Sequence, residues 1–267
     1  MTAPRELVLA ATDARGVTTL TLNRPDKGNA YDRRMLDRLA AEIARAGAAP
    51  EIRALVLRGA GKHFCVGGDL VDDPLVHTGA GLDKQVLMPH VCLALDACPK
   101  PTIALVHGAC FGGGFALISC CDVVLASEDS FYSLPELRLG FGVGPYIPFF
   151  ARALGARHLR RYLMTAERFN AHEALAMGVV HRLHPAGAGD RSLEEILDDV
   201  LLSAPEAIAA TKRELSELAD MTPARERIDA LQVGFRQLFE APEGIEGRAA
   251  FRDKRPPAWA PKRRARD

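Results

Sequence analysis

The sequence carries no surplus of either charge: 34 Lys and Arg stand against 34 Asp and Glu in 267 residues. Nucleic-acid-binding domains normally show a strong basic excess, so that class is excluded. The one basic cluster, Lys262-Arg263-Arg264-Ala265-Arg266, reads as a solvated tail. Met1 to Val8 includes Arg5 and Glu6 and no apolar h-region, so no secretory leader is expected. No apolar run reaches the length needed to span a bilayer, so no membrane association is expected. The six cysteines (Cys65, Cys92, Cys98, Cys110, Cys120, Cys121) form no C-x-x-C pair, and four sit in apolar runs. They read as buried free thiols, with neither a disulfide framework nor a metal site. A cytoplasmic protein is the expectation. There is also no internal repeat and no long low-complexity linker.

Two nucleotide-binding readings fail on spacing. G-x-G-x-x-G is absent after Val106, because Gly108 is followed by Ala109-Cys110. Gly59-Ala60-Gly61-Lys62 lacks the Walker spacing and is followed by His63 rather than Ser or Thr.

What is present is a chain with 48% hydrophobic residues, enough for one large domain or one domain with a small appendage. Leu7-Val8-Leu9 and Val17 to Leu22 flank Thr12-Asp13-Ala14-Arg15-Gly16, the pattern of a β-hairpin. Asp32 precedes a helix with Met35, Leu36, Leu39 and Ile43 on one face, with Gly47 as its expected end. Ala54–Leu57, Thr102–Val106 and Val123–Ala126 read as strands; Lys84–Ala97 and Gly113–Cys120 read as helices. Strands alternating with helices predict an α/β layered fold with largely parallel strands. After about Leu139 the patterns are helical and no strand is evident: Tyr146–Leu154, Ala156–Met164, Ala171–Met177, Leu193–Leu202, Pro205–Leu218 and Pro223–Phe239. Those helices are expected to cover the sheet or pack on another subunit.

Three glycine-rich places hold the chemistry: Gly67-Gly68-Asp69-Leu70, Gly108-Ala109-Cys110-Phe111-Gly112-Gly113-Gly114, and Gly140-Phe141-Gly142-Val143-Gly144-Pro145. Glycines at strand-to-helix turns let a backbone approach a ligand closely. A helix start leaves unpaired N–H donors with positive partial charge. Two such donors from two loops can polarise one carbonyl oxygen, forming an oxyanion hole that stabilises an enolate. Tight turns alone are the bland alternative. The lone acid Glu136, lying between the second and third clusters, weakens it.

At this point the chain resembles the crotonase (enoyl-CoA hydratase/isomerase) superfamily over nearly its whole length. The matching pieces are Leu22-Asn23-Arg24-Pro25-Asp26-Lys27-Gly28-Asn29-Ala30, Phe64-Cys65-Val66-Gly67-Gly68-Asp69-Leu70, and His107 to Gly114 with Cys121-Asp122-Val123. Leu134 to Gly140, Thr165 to Phe169, Ala174 to Val180 and Phe251 to Arg255 follow in order. The resemblance implies a spiral of ββα turns over residues 1–200, followed by a C-terminal helical region and tail at 201–267 that trimerises, often as a dimer of trimers. It implies a coenzyme A thioester as substrate, with no separate cofactor. The loop near Lys27 and the segment from Val66 through Asp69 to Leu70 would bind it. Gly68 and Gly113 would supply the oxyanion N–H groups, and Gly144 would face the reactive carbons. Asp69 is expected either to cap a following helix, the favoured role, or to balance charge near the thioester.

Typical hydratases of this superfamily carry two glutamates. Glu136 matches the second; the first would fall at position 116, where this chain has alanine. A carboxylate among Leu134, Leu137 and Phe141 should have a raised pKa, suited to proton transfer. The stretches around Ala116 and Pro145-Tyr146-Ile147 look like hydratases of methylglutaconyl-type or isohexenylglutaconyl-type CoA esters. They also look like dehydratases of carrier-protein-bound hydroxymethylglutaryl thioesters. The expected activity is therefore water addition or removal at a β-branched acyl thioester. Δ3,Δ2-enoyl-CoA isomerase and an inactive acyl-CoA-binding scaffold are the alternatives. Arg138 and His63 are candidates to meet a second substrate carboxylate, and His107 is expected to hydrogen-bond locally.

Overall fold

The computed structural model describes residues 6–70, 88–140, 142–217 and 225–261, with side chains for all of these except 217 and 225–232. Strands β1 (Val8–Thr12) and β2 (Val17–Leu22) form the expected antiparallel hairpin, with Val8 opposite Leu22. Helix α1 (Arg33–Ala48) begins at Asp32, whose carboxylate accepts the Met35 N–H at 2.9 Å. It runs through Gly47 instead of stopping there. The glycine is fitted to its neighbour: a Cβ at 47 would lie 3.3 Å from the Pro99 ring.

Strand β3 (Ala54–Gly59) pairs in parallel with β2. Helix α2 (Met88–Asp96) leads to β4 (Thr102–Val106), and the short β5 (Ala109–Phe111) to α3 (Gly113–Ser119). Strands β6 (Val123–Ser127) and β7 (Phe131–Ser133) follow. Helix α4 (Ile147–Thr165) absorbs two of the expected helical patterns and bends at Gly155, whose φ of 69° and ψ of 149° are non-helical. Strand β8 (Phe169–Asn170), helix α5 (Ala171–Ala176), strand β9 (Arg182–His184) and helix α6 (Gly189–Val200) come next. Helices α7 (Pro205–Glu217), α8 (Arg225–Glu240) and α9 (Pro242–Arg252) complete the order.

The main sheet has the order β1-β2-β3-β4-β6-β9, and every pairing after the hairpin is parallel. A small sheet joins β5, β7 and β8. The expectation that no strand follows Leu139 is overturned twice, by β8 and by β9. Strand β9 extends the main sheet beside β6. Each has too few residues to show a period of two, which is the signal that reveals a strand.

Alternate residues of the strands feed two apolar layers, as a pleated sheet with both faces covered requires. On one side Leu20, Leu57 and Val106 pack with Met35, Leu39 and Ile43 of α1 and with Phe115 of α3. On the other, Val56, Ile103 and Leu125 pack with Leu193 and Leu197 of α6. Five of the six cysteines are buried and Cys121 is half-buried; all six are free thiols. Burial pushes the Cys65 thiol up to about 12 and raises Cys110 and Cys121 as well.

Candidate active site

Three loops meet where the sheet opens. The first is cinched by Asn29, whose Oδ1 accepts the Arg24 N–H at 2.8 Å and whose amide donates to the carbonyls of Ala60, His63 and Phe64. The Val66 N–H donates to the Gly28 carbonyl at 3.1 Å, and a Cβ at 28 would lie 3.0 Å from a Val66 methyl. Exposed Lys27 therefore stands beside Val66, and the two expected thioester-binding segments are adjacent. Leu70 is exposed at the end of the second segment. Asp69 is buried and ion-paired with Arg24 at 2.7 Å. Within the described residues Asp69 thus balances charge; the segment it was expected to cap lies outside them.

The second and third loops are laced by backbone. The Cys65 N–H donates to Ala109 at 3.2 Å and the Phe111 N–H to Cys65 at 2.9 Å. This brings Gly68 and Gly113 to opposite sides of one ring, that of Tyr31. A Cβ on Gly68 would lie 3.5 Å from the Tyr31 ring, and one on Gly113 only 2.2 Å from its hydroxyl oxygen. Among the described residues, neither the Gly68 N–H nor the Gly113 N–H donates to a protein acceptor. Gly112 caps α3 at φ 51°, ψ −117°, a conformation that favours glycine.

Glu136 enters from a single 3-10 turn, Glu136–Leu139, that follows Pro135. Its carboxylate lies against the Gly112 turn: a Cβ on Gly112 would stand 2.5 Å from Oε1. The side chain is buried and Oε2 has no hydrogen-bond partner among the described residues. Burial pushes its pKa above the usual carboxylate range, against a smaller opposing pull from its own backbone N–H. Ala116 is fully buried four residues after Gly112, and its N–H donates to Gly112 at 3.0 Å. That spacing puts it on the same face of α3 as the turn that meets Glu136. Gly144 opens another short turn, Gly144–Tyr146, with open space around it.

The sequence reading gave no role to Tyr31 and Tyr146. The Tyr31 hydroxyl lies toward Tyr146, and burial, chiefly, with this interaction holds its pKa well above the usual tyrosine value. Burial likewise lifts Tyr146 to about 12, with the Glu136 charge adding a smaller push. The available signal was position: Tyr31 directly follows the Asn23–Ala30 motif, and Tyr146 directly follows Gly144-Pro145.

Two other candidates fall elsewhere. His63 Nδ1 accepts the Ala109 N–H at 3.1 Å, and burial, then Lys62 and His107, lower its pKa; it is a neutral brace, not a cation for a substrate carboxylate. Arg138 donates to the Thr165 carbonyl at 2.6 Å and lines a cleft of about 440 Å³ with Phe111, Ser133 and Arg168. His107 Nε2 bonds the Gly61 carbonyl at 2.9 Å, the local role expected for it. No cluster of metal-ligating side chains exists among the described residues, and no described helix is long and apolar enough to cross a membrane.

A parallel sheet wrapped by helices, with two glycine turns presenting free N–H groups beside a buried carboxylate, defines the crotonase class. The family model for enoyl-CoA hydratase/isomerase matches residues 12–262, and the chain belongs to that family. It is 32% identical over 201 residues to the enoyl-CoA hydratase ACTT6 of Alternaria alternata, covering 74% of this chain and 65% of that protein. The chain thus spans just under two thirds of that relative's length. It is 29% identical over 252 residues to the mevalonyl-coenzyme A hydratase sidH of Aspergillus fumigatus, covering 92% of each. The solved structure of Pseudomonas aeruginosa AtuE superimposes with a TM-score of 0.89 at 37% identity, covering 96% of this chain and 100% of that one.

Proposed function

We propose that this protein adds or removes water at an unsaturated, β-branched acyl-CoA thioester of the methylglutaconyl type. The observation that carries this reading is a single buried carboxylate, Glu136, against the Gly112–Gly113 turn with alanine at 116. Alanine at 116 would leave more room beside the β-carbon for a branch than the glutamate of a two-acid site. One relative's name, mevalonyl-CoA hydratase, refers to an acyl group that is itself branched there.

In the hydration direction, Lys27, Val66 and Leu70 frame the coenzyme A moiety, with Asp69 bracing their loop through Arg24, and the N–H groups of Gly68 and Gly113 hold the thioester oxygen. Glu136, ionised, takes a proton from water as the water oxygen bonds to the β-carbon. The double-bond electrons move onto the thioester oxygen, where the two donors stabilise them. Glu136 then returns its proton to the α-carbon. Dehydration is the reverse sequence. A raised pKa brings the carboxylate nearer to neutrality, where a group can both accept and return a proton.

The isomerase reading draws on the same observation, since one carboxylate can carry a proton between the α and γ carbons. A panel of crotonyl-CoA, 3-methylglutaconyl-CoA and a 3-enoyl-CoA, followed by mass spectrometry, separates the two. The expected result is a gain of 18 mass units (one water, about 18 Da by elementary composition) with the branched substrate and poor turnover of crotonyl-CoA. Efficient crotonyl-CoA hydration overturns the branched-substrate reading, and conversion of the 3-enoyl ester without mass change supports the isomerase. The same panel on a carrier-protein thioester tests that alternative carrier.

Assembly as a trimer, alone or paired into a hexamer, belongs to this proposal. Leu215, Val233, Phe235, Phe239, Ile245 and Phe251 are all exposed on α7 to α9, an apolar surface that a lone chain would leave in water. Leu238 is half-buried; Leu218 and the Leu231 side chain lie outside the described residues. Light scattering at micromolar concentration should show a trimer or hexamer, and a monomer overturns it.

A further inference from the structure

We propose that the Tyr31 hydroxyl, held in place by Tyr146, is the second group that binds the reacting water in a chain that lacks a carboxylate at 116. The inference rests on the hydration reading above and names the residue that reading leaves unassigned.

The geometry has three parts. The Tyr31 ring lies between the two turns that present free N–H groups: it is 3.5 Å from a Cβ built on Gly68, and its hydroxyl oxygen is 2.2 Å from one built on Gly113. The next residue of that turn, Gly112, touches the Glu136 carboxylate in the same way, at 2.5 Å from Oε1. Adjacent residues of one turn thus face the phenol and the acid. Tyr146, which interacts with the Tyr31 hydroxyl and feels the charge of Glu136, comes from the Gly144–Tyr146 turn on the rim. Its ring is stacked on Phe150 at 5.7 Å and 18°, so it is a fixed partner.

The chemistry suits a neutral phenol. Burial keeps both tyrosines protonated well above neutrality, so neither can act as the base. A protonated phenol can donate one hydrogen bond and accept another. Tyr31 can therefore hold the water oxygen and aim its lone pair at the β-carbon, while the proton leaves to Glu136. No proton is taken from or left on the tyrosine, and the balance of the step is unchanged. Tyr146 does not touch the water; it is a positioning residue that fixes the Tyr31 hydroxyl.

The rival role for the same hydroxyl is a third donor to the thioester oxygen. The two are separated by a reaction that needs the enolate but no water: exchange of the α-hydrogen of saturated 3-methylglutaryl-CoA in deuterium oxide. With the full-length protein, Tyr31→Phe should lower 3-methylglutaconyl-CoA hydration by about 10- to 100-fold, the worth of one hydrogen bond to a reacting group. The ratio of hydration to exchange should fall by nearly as much. Tyr146→Phe should lower that ratio by a smaller factor, and Glu136→Gln should lower both reactions by about 10²–10⁴-fold. Circular dichroism checks the fold of each variant.

Hydration by Tyr31→Phe within threefold of the unmodified enzyme overturns the proposal. So does an equal loss of hydration and exchange, which assigns the hydroxyl to the thioester oxygen or to packing. Absence of exchange in the unmodified enzyme also overturns it, because Glu136 is required to act at the α-carbon without help from water. Failure of the unmodified enzyme to hydrate any branched thioester sinks the hydration reading itself, and is recognised before any variant is made.

Discussion

The two glycine turns that carry the backbone donors and the two short turns that carry Glu136 and Tyr146 are built in opposite ways. The first pair forms a floor. Its residues are laced across β5 by Cys65 and Phe111 backbone bonds, cinched by Asn29, and braced by the Arg24–Asp69 ion pair. The second pair forms a rim. Each of its turns is a single 3-10 segment, Leu137, Leu139 and Ile147 are exposed, and Gly142 and Gly144 have open space around them. In the proposed reaction the floor would fix donors where negative charge develops, a task that tolerates little displacement. In the proposed reaction the rim would carry the side chains that meet the acyl group, and its sparse packing can accept change without harm to the core.

The largest effect should come from the one rim residue that behaves like floor. Glu136→Gln keeps the shape and removes the base, and turnover should fall by about 10²–10⁴-fold with little change in affinity. The same variant should be more stable than the parent at neutral pH. Burial raises the folded-state pKa, so ionising Glu136 costs stability as pH rises from the ordinary carboxylate pKa through the raised one. Activity of the parent should rise through that same window. Thermal melts and rate profiles from pH 4 upward (a range set about the ordinary carboxylate pKa) check both signs. Turnover within a few fold of the parent would remove Glu136 from the mechanism.

Next comes the brace. Asp69→Ala removes the carboxylate that neutralises the nearly buried Arg24 guanidinium, leaving it the Ala30 carbonyl as an acceptor, and should cost about 3–5 kcal/mol of stability. Chemical denaturation measures it; a loss below about 1 kcal/mol, typical of a surface pair, would contradict the description of the floor as preset. Gly113 is then tested by a pair of variants. Alanine and proline both push on Tyr31, but only proline removes the N–H. The ratio of their kcat values should show a further loss of about 2.7–4 kcal/mol in barrier stabilisation for proline. Equal rates would mean that this N–H holds nothing. The smallest effect is at the edge of the floor: Lys27→Ala should raise KM by a few fold with kcat unchanged, about 0.2–1 kcal/mol, and added salt should erase the difference.

The division between floor and rim also explains what could be read in the sequence. Gly68, Gly112 and Gly113 were legible because a backbone that must be approached closely requires glycine, and that requirement is local. The hairpin, α1 and the buried strands were legible from their periods. Strands β8 and β9 were not, since two or three residues carry no period. Asp69 was expected to cap a helix, because local spacing shows nothing of Arg24 folding back from the preceding loop. The meeting of Tyr31 and Tyr146 was hidden for the same reason: it depends on how a rim turn is laid over the floor, and no spacing within either segment encodes that.

The burial of the cysteines reaches into the practice of assaying this protein. A thiol must ionise to attack an aromatic disulfide reagent, and Cys65, Cys110 and Cys121 are held protonated by their surroundings. The folded protein should therefore be silent toward such a reagent, and colour released during turnover would report coenzyme A alone. Once the chain opens, all six sulfurs become visible. The rate at which they appear at low denaturant is then a clock for the excursions of the native core, one that needs neither a label nor a new residue.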